Sequence, residues 1–334
     1  QALIDQGYDD VLDDYVLTEN ISYLDGLEIN MLDIYDLTGI EDFTSLENFG
    51  AYGNQLTTVD FSNNTALENL SLSDNQLTSL DVSNNTALEI LLLQNNQLTT
   101  LNVIFNTALT HLVCNTNELT SLDVSANTAL TNLNCTSNAL TSLDVSNNTA
   151  LTYLWINNNQ FTYLNMKNGV TDALTTFYVT NNSLTCIEVN AEDIDYATEN
   201  WTYENGNIDE GVTFQEIGCQ TINIPADYST IQEGIDAAYE GATVLVAAGT
   251  YVENILWPGN TNGIKLIGED RETTIIDGGA QQTVIDISSS SIDTSTLING
   301  FTITNGSGGN GGGIFCMYSS PSLVNLTISG NVAS

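Results

Sequence analysis

The sequence predicts a mostly β chain built as two stacked coils in tandem. Three observations carry this. Residues 56–160 align with themselves in rows of 21. Apolar residues within a row alternate as they do along a strand. Near Thr221 the rows stop, glycine rises, and a different series of short strands begins.

The rows come first. Residues 77–97 read LTSLDVSNNTALEILLLQNNQ and residues 140–160 read LTSLDVSNNTALTYLWINNNQ. Related rows run 56–76, 98–118 and 119–139, a shorter one opens at Leu37, and a longer one runs from Phe161 to Ser183. Each row holds two phrases of the form LxxLxVxxN, for example Leu140, Leu143, Val145 and Asn148, then Leu151, Leu154, Ile156 and Asn159. Leu154 and Ile156 fall on one side and Trp155 on the other, the period of a strand. One row cannot bury its apolar side alone; stacked rows can. Asn75, Asn96, Asn117, Asn138 and Asn159 then form one inward column, whose amides are expected to bond the backbone groups that the turns leave over.

Composition narrows the function. The chain has 42 acidic residues, 3 basic ones (Lys167, Lys265 and Arg271) and 1 histidine, a net charge of −39. Nucleic-acid binding and polybasic docking on anionic membranes both need a positive surface and are excluded. With 42% hydrophobic residues the chain can fill a core, and no apolar run reaches the roughly 18 residues of a membrane span. Gln1 is not an initiator methionine and the final pattern reads as unfinished at Ser334, so the chain is expected to be part of a longer protein.

The rows resemble the bacterial leucine-rich repeat family in its 21-residue form, LTSLDVSNNTALTxLxCxxNQ. The resemblance covers residues 1–220: an N-terminal cap over 1–36, repeats over 37–185 and a C-terminal cap over 186–220. It implies a curved, non-enzymatic recognition scaffold, usually secreted. An exposed end of a solenoid needs a cover, and Cys186 and Cys219 bracket the capping segment. A disulfide between them would contribute about 3–4 kcal/mol by loop closure. Cys114 and Cys135 stand 21 apart in an inward column and read as small core residues. Cys316 has no obvious partner.

In the second half, Ser229 and Thr230 with Gln232 and Glu233 three residues on form overlapping capping boxes. They start a short helix with Ile231, Ile235 and Ala238 on one face and Gly241 as its C′ residue. Strands are expected at 243–247, 264–267, 274–276, 284–287, 297–303 and 323–328. The phrases VAAGTYVENI, IKLIGEDRETTIIDGG, INGFTITNGSGGNGGGIF and SPSLVNLTISGN are similar to the pectin-lyase-like right-handed parallel β-helix, over residues 222–334, within a domain expected over 221–334. That resemblance implies a polysaccharide lyase or hydrolase, or a non-catalytic surface scaffold.

Chemistry is sparse. His111 is the single histidine and lies among the rows, so a Ser-His-Asp or Cys-His triad is implausible. GSGGNGGG at 306–313 lacks the Lys of a phosphate loop and reads as a flexible turn. Lyase-type β-helices use carboxylate-bound calcium and a basic residue. Here Lys265 and Arg271 are the candidates, and Arg271 in GEDRET is expected to pair with Glu269, Asp270 and Glu272. Asp277 and Asp286 are available as glycosidase carboxylates, but nothing marks them as a pair.

Outward residues 21 apart form surface ladders instead. Ile90, Leu92, His111 and Val113 form an apolar patch, and Tyr153, Trp155 and Tyr178 an aromatic one, with Tyr52 in a neighbouring column. Such patches mark interaction sites. On the opposite surface Asp60, Asp81, Asp123 and Asp144 share a column that either stays hydrated or collects calcium; Asp5, Asp9, Asp10, Asp13 and Asp14 are a second acidic cluster. The sequence thus predicts an adhesion or recognition protein, extracellular or on the cell surface in association with the outer membrane. It would bind a glycan or protein ligand, with no catalytic residues and no cofactor unless calcium. The alternatives are a polysaccharide-active enzyme with catalytic coils beyond residue 334, and a self-assembling subunit of a surface fibre or layer.

Overall fold

The computed structural model describes residues 2–11, 16–259, 261–288, 292–309 and 311–333. Asp13 and Asp14 of the N-terminal acidic cluster and Asn310 of the glycine-rich stretch therefore lie outside the described residues. The chain is a mostly β, solenoidal fold with few helices, and it divides into two compact units, 1–216 and 217–334.

In the first unit the strands Gly26–Glu28, Asn48–Gly50, Asn69–Ser71, Ile90–Leu92, His111–Val113, Asn132–Asn134, Tyr153–Trp155 and Thr176–Tyr178 lie side by side in chain order as one eight-stranded parallel sheet. A row of 21 residues returns the strand to the same register, and the last, longer row does so in 23, so Leu70, Leu91, Leu112, Leu133 and Leu154 stack inward with Phe49 and Phe177. All seven are buried, each worth about 1.5–3 kcal/mol of transfer free energy. A second parallel sheet joins Ser142–Asp144, Tyr163–Asn165, Cys186–Glu188 and Thr213–Gln215.

Two asparagine ladders tie the rows together. In the expected one, Asn96 Nδ2 donates to Leu72 O (2.9 Å) and Leu93 O (3.1 Å), while its Oδ1 accepts the Leu77 N–H at 3.0 Å. Asn75 and Asn159 repeat this pattern with their own neighbours. The residue before each ladder asparagine (Asp74, Asn95, Thr116, Ser137, Asn158) has φ between 55° and 58°, a left-handed turn that the amide bonds hold closed. The second ladder, Asn64, Asn85, Asn106, Asn127 and Asn148, is fully buried. Asn127 Nδ2 donates to Val103 O (2.9 Å) and Asn106 O (2.8 Å), so each rung reaches into the preceding rows.

Cys114 and Cys135 are free and buried in the inward column, where burial pushes the Cys114 thiol up to about 12; they are inert core residues. Cys186 and Cys219 are disulfide-bonded. After the last row, the helix Ile194–Asn200 leads to buried Trp201, whose ring stacks on Phe177 at 4.0 Å and closes the end of the leucine core.

In the second unit, three parallel sheets run through successive coils. One contains Thr221–Ile224, Thr243–Val246, Lys265–Gly268, Leu297–Asn299 and Ser322–Val324. The next contains Gly249–Val252, Thr274–Asp277, Thr302–Thr304 and Thr327–Ser329, and the third Ile255–Leu256, Ile285–Ile287 and Ile314–Cys316. The helix Ile231–Asp236 has Thr230 as N-cap in a full capping box with Glu233, and the Glu253 carboxylate accepts the Ile231 and Gln232 N–H groups at 3.0 Å each. The helix sits so close to the first strand that a Cβ at Gly234 would meet Ile224 Cδ1 at 2.7 Å.

Four expectations need correction here. The run 297–303 is two strands, because Gly300 at φ 84° turns the chain from one sheet into the next; Asn325 at φ 51° does the same within 323–328. The helix ends at Asp236 with Ala237 as C-cap, so Gly241 (φ 78°) belongs to the following turn and not to the helix end. The glycine-rich stretch is not a loose turn: Ser307–Gly308 pairs with Val332–Ala333, and side chains at Gly306, Gly308 or Gly312 would run into Gly312, Thr283 and Val332. Arg271 makes no ion pair among the described residues. Nearby, Asp270 Oδ1 accepts the Glu272 N–H and Glu269 Oε2 the Ala248 N–H, so turn amides take up these carboxylates.

Candidate functional site

The outward side of the eight-stranded sheet carries the side chains singled out from the sequence. Its registers align Ile90 with His111, Asn132, Tyr153 and Thr176 in one ladder, and Leu92 with Val113, Asn134, Trp155 and Tyr178 in the next. Rungs of adjacent parallel strands stand about 4.8 Å apart. Trp155 and Tyr178 are therefore immediate neighbours, and Tyr153 lies two residues along the same strand as Trp155.

Exposure divides the expected residues. Tyr153 (41%), Trp155 (41%) and Tyr178 (43%) stand clear of the sheet, whereas Ile90, Leu92, His111 and Val113 are half-buried between their cross-strand neighbours. The apolar patch is thus flatter and less available than the aromatic one. His111 Nδ1 lies 2.9 Å from Thr110 Oγ1, a local contact on the sheet surface. Tyr52 is half-buried; its N–H donates to Asn30 Oδ1 at 2.9 Å and its hydroxyl lies 3.8 Å from Met31 Sδ, away from the aromatic trio at the other end of the sheet.

Charge divides the face as well. In the strands and following turns of the first three rows (47–55, 68–76 and 89–97) the acids are Glu47, Glu68, Asp74 and Glu89. In the next four (110–118, 131–139, 152–160 and 175–183) Glu118 is the single acid and there is no Lys or Arg. The column that begins with glutamates continues as Thr110, Thr131, Thr152 and Thr175, each hydroxyl donating to the carbonyl of the preceding rung at 3.0–3.2 Å. At the far end Asp209 accepts the Asn181 and Asn182 N–H groups, a backbone cap. The surroundings of Trp155 are amides and hydroxyls: Asn132, Asn134, Thr136, Asn157, Thr176 and Thr180.

The aspartate column has a local structural task. Asp60, Asp81, Asp123 and Asp144 each accept, on Oδ1, the N–H of the serine two residues on, at 2.8–2.9 Å. The Ser62 and Ser83 N–H groups, followed by their hydroxyls, hold Asp60 and Asp81 below the usual carboxylate range; at Asp123 the Ser125 hydroxyl leads. Asp144 Oδ2 also accepts Asn165 Nδ2 at 3.1 Å. Among the described residues no three His, Cys, Asp or Glu side chains converge as a metal-binding group.

Two features escaped the sequence reading. In the row 98–118, Ile104 and Phe105 replace the Ser83-Asn84 of the row before and the Ser125-Ala126 of the row after, and stand exposed; the break in the repeat was the available signal. Glu188, in the column of the aspartates, is buried and bound by Lys167 Nζ at 3.2 Å and the Tyr163 hydroxyl at 3.0 Å. No local pattern announces that cluster.

No family model matches the chain, and no curated protein matches it. Among solved structures, it is similar to an internalin C2 of Listeria monocytogenes at 20% identity, over 60% of this chain and 84% of that one, with a TM-score of 0.48. The functional domain of InlJ of Listeria monocytogenes is 22% identical over 86% of this chain and 76% of its own, with a TM-score of 0.43. A leucine-rich repeat protein of Leptospira interrogans is 15% identical over 89% of this chain and 77% of its own, also at 0.43.

Proposed function

We propose that this chain is a non-catalytic recognition or adhesion protein of the bacterial surface, secreted or associated with the outer membrane, that takes a glycan or protein ligand on the outward face of the eight-stranded sheet. The observation that carries the reading is the exposed trio Tyr153, Trp155 and Tyr178, set on adjoining strands of one hydrogen-bonded sheet. Exposed aromatics on a stiff platform bind without a large ordering cost. The Cys186–Cys219 disulfide supports an oxidising compartment.

The proposal includes a domain plan: an N-terminal cap over 1–36, leucine-rich repeats over 37–185, their C-terminal cap over 186–220, and a right-handed, pectin-lyase-like parallel β-helix over 221–334 that serves as scaffold. Three parallel sheets with one strand from each successive coil support the last assignment.

The test is attachment of the chain to bacterial and host-cell surfaces, compared with a Trp155→Ala/Tyr178→Ala variant of unchanged circular dichroism. The variant is expected to lose most of the attachment. Equal attachment by a folded variant contradicts the chosen face.

A further inference from the structure

We infer that the aromatic trio is a binding site for a neutral carbohydrate, with Trp155 and Tyr178 as the platform for a sugar ring. The inference rests on the recognition reading above and narrows its ligand. Two independent features of the face lead to it.

The first is the kind of surface. The Trp155 and Tyr178 rings stand on paired rungs, and Tyr153 extends the surface along the strand. The apolar C–H face of a pyranose packs on such rings, while its hydroxyls need both donors and acceptors around the rim. Asn132, Asn134, Asn157, Thr136, Thr176 and Thr180 supply these on the flanking rungs. Part of this rim is already ordered: Thr136 Oγ1 donates to Asn157 Oδ1 at 3.0 Å, and the Thr136 N–H donates to Asn134 Oδ1 at 3.1 Å.

The second is charge. In a chain of net charge −39, the strands of the eight-stranded sheet in the four rows around the trio, with the turns that follow them, carry one acid, Glu118; Asp123 and Asp144 lie on the opposite surface and Asp209 caps the last turn. The glutamates of the preceding rows give way there to threonines, and no cation appears. A basic partner would find the glutamates at the other end of the sheet and, at this end, only Asp209, whose two oxygens are already taken by the Asn181 and Asn182 N–H groups. An acidic polysaccharide would find no Lys or Arg here and would meet the negative field of the rest of the chain. A neutral ligand loses nothing by the missing charges and does not have to strip water from a carboxylate.

The molecule carries its own probe. Of its three tryptophans, Trp201 and Trp257 are buried at 4% and 3% exposure, so acrylamide quenching of fluorescence reports mainly on Trp155. The full chain is run through native gels cast with neutral polysaccharides (β-glucan, xylan, mannan) or polyanionic ones (polygalacturonate, alginate), and quenching is measured with each. The expected result is retardation by at least one neutral polysaccharide and by neither polyanion, with Trp155 shielded from acrylamide. Trp155→Ala is expected to weaken this binding about tenfold or more, and Trp155→Phe, which keeps a ring, to weaken it less. Retardation by the polyanions, neutral binding that leaves Trp155 quenching unchanged, or no retardation by any of the five overturns the inference. If none binds while cell attachment still depends on Trp155, the ligand is a protein and the recognition reading survives; if attachment is also independent of Trp155, both fall.

Discussion

Replacing Asn96 with alanine is expected to destabilise the 1–216 unit by about 2 kcal/mol. The amide serves three backbone groups, the Leu72 and Leu93 carbonyls and the Leu77 N–H, at 2.9–3.1 Å, and the side chain is 8% exposed. Its loss strips the Leu77 N–H of that acceptor and takes one of two amide donors from each carbonyl, since Asn75 Nδ2 still reaches Leu72 O at 3.1 Å and Asn117 Nδ2 reaches Leu93 O at 3.0 Å; a buried polar group stripped of its partner costs about 1–3 kcal/mol. Because Asn96 bonds groups in its own row and in the row before it, the loss weakens the interface between neighbours, which is where a stacked-repeat protein keeps its cooperativity. Exposed Asn84 makes a single 3.2 Å bond to Ser62 O, and Asn84→Ala is expected to change stability by less than about 0.5 kcal/mol. Urea unfolding of the two variants beside the parent checks the pair. Equal shifts would mean that the inward ladder is not what joins the rows.

Removal of Lys167, the only Lys or Arg in residues 1–216, has a comparable expected effect for a different reason. Glu188 is 1% exposed and holds Lys167 Nζ at 3.2 Å and the Tyr163 hydroxyl at 3.0 Å, with the strand Thr213–Gln215 paired beside it. Lys167→Met removes the cation and keeps the carboxylate buried, a change that costs on the order of 3 kcal/mol. Glu188→Gln in the same chain removes the stranded charge and retains an acceptor for Tyr163. The double variant is therefore expected to recover at least about 1 kcal/mol relative to the sum of the two single changes. The coupling is read from urea unfolding of the four proteins. Strict additivity would show that the pair does not interact in the folded state.

These two sites show what the sequence makes legible. The Asn96 ladder is local and periodic: one residue type returns every 21 positions, and its partners lie a fixed count away. The inward leucine columns and the Thr230–Glu233 capping box are legible for the same reason. The Lys167–Glu188 contact has no such period. Glu188 occupies a column of solvent-facing aspartates and becomes buried only because Tyr163 and the strand Thr213–Gln215 close over it. The strand break at Asn325 is not visible in the sequence because VNLTIS alternates without interruption and a single left-handed residue redirects the chain; at Gly300 the three-residue step from Ile298 to Phe301 breaks the alternation and is the available signal. On the candidate site, periodicity located the ladders but gave no measure of exposure. Only packing separates the half-buried Ile90, Leu92 and Val113 from the freely standing Tyr153, Trp155 and Tyr178.

The account depends on one coil per row, 21 residues in the regular rows and 23 from Trp155 to Tyr178, since that brings outward side chains of successive rows side by side. Distances between paired spin labels measure it directly. Thr57, Thr141 and Thr162 are exposed and share one column, and Cys316→Ser removes the exposed thiol while Cys114 and Cys135 stay buried. At about 4.8 Å per row, labels at 57 and 141 are expected about 19 Å apart and labels at 57 and 162 about 24 Å apart. Separations that do not grow by one strand spacing per row would contradict the stacking, and with it the pairing of Trp155 with Tyr178.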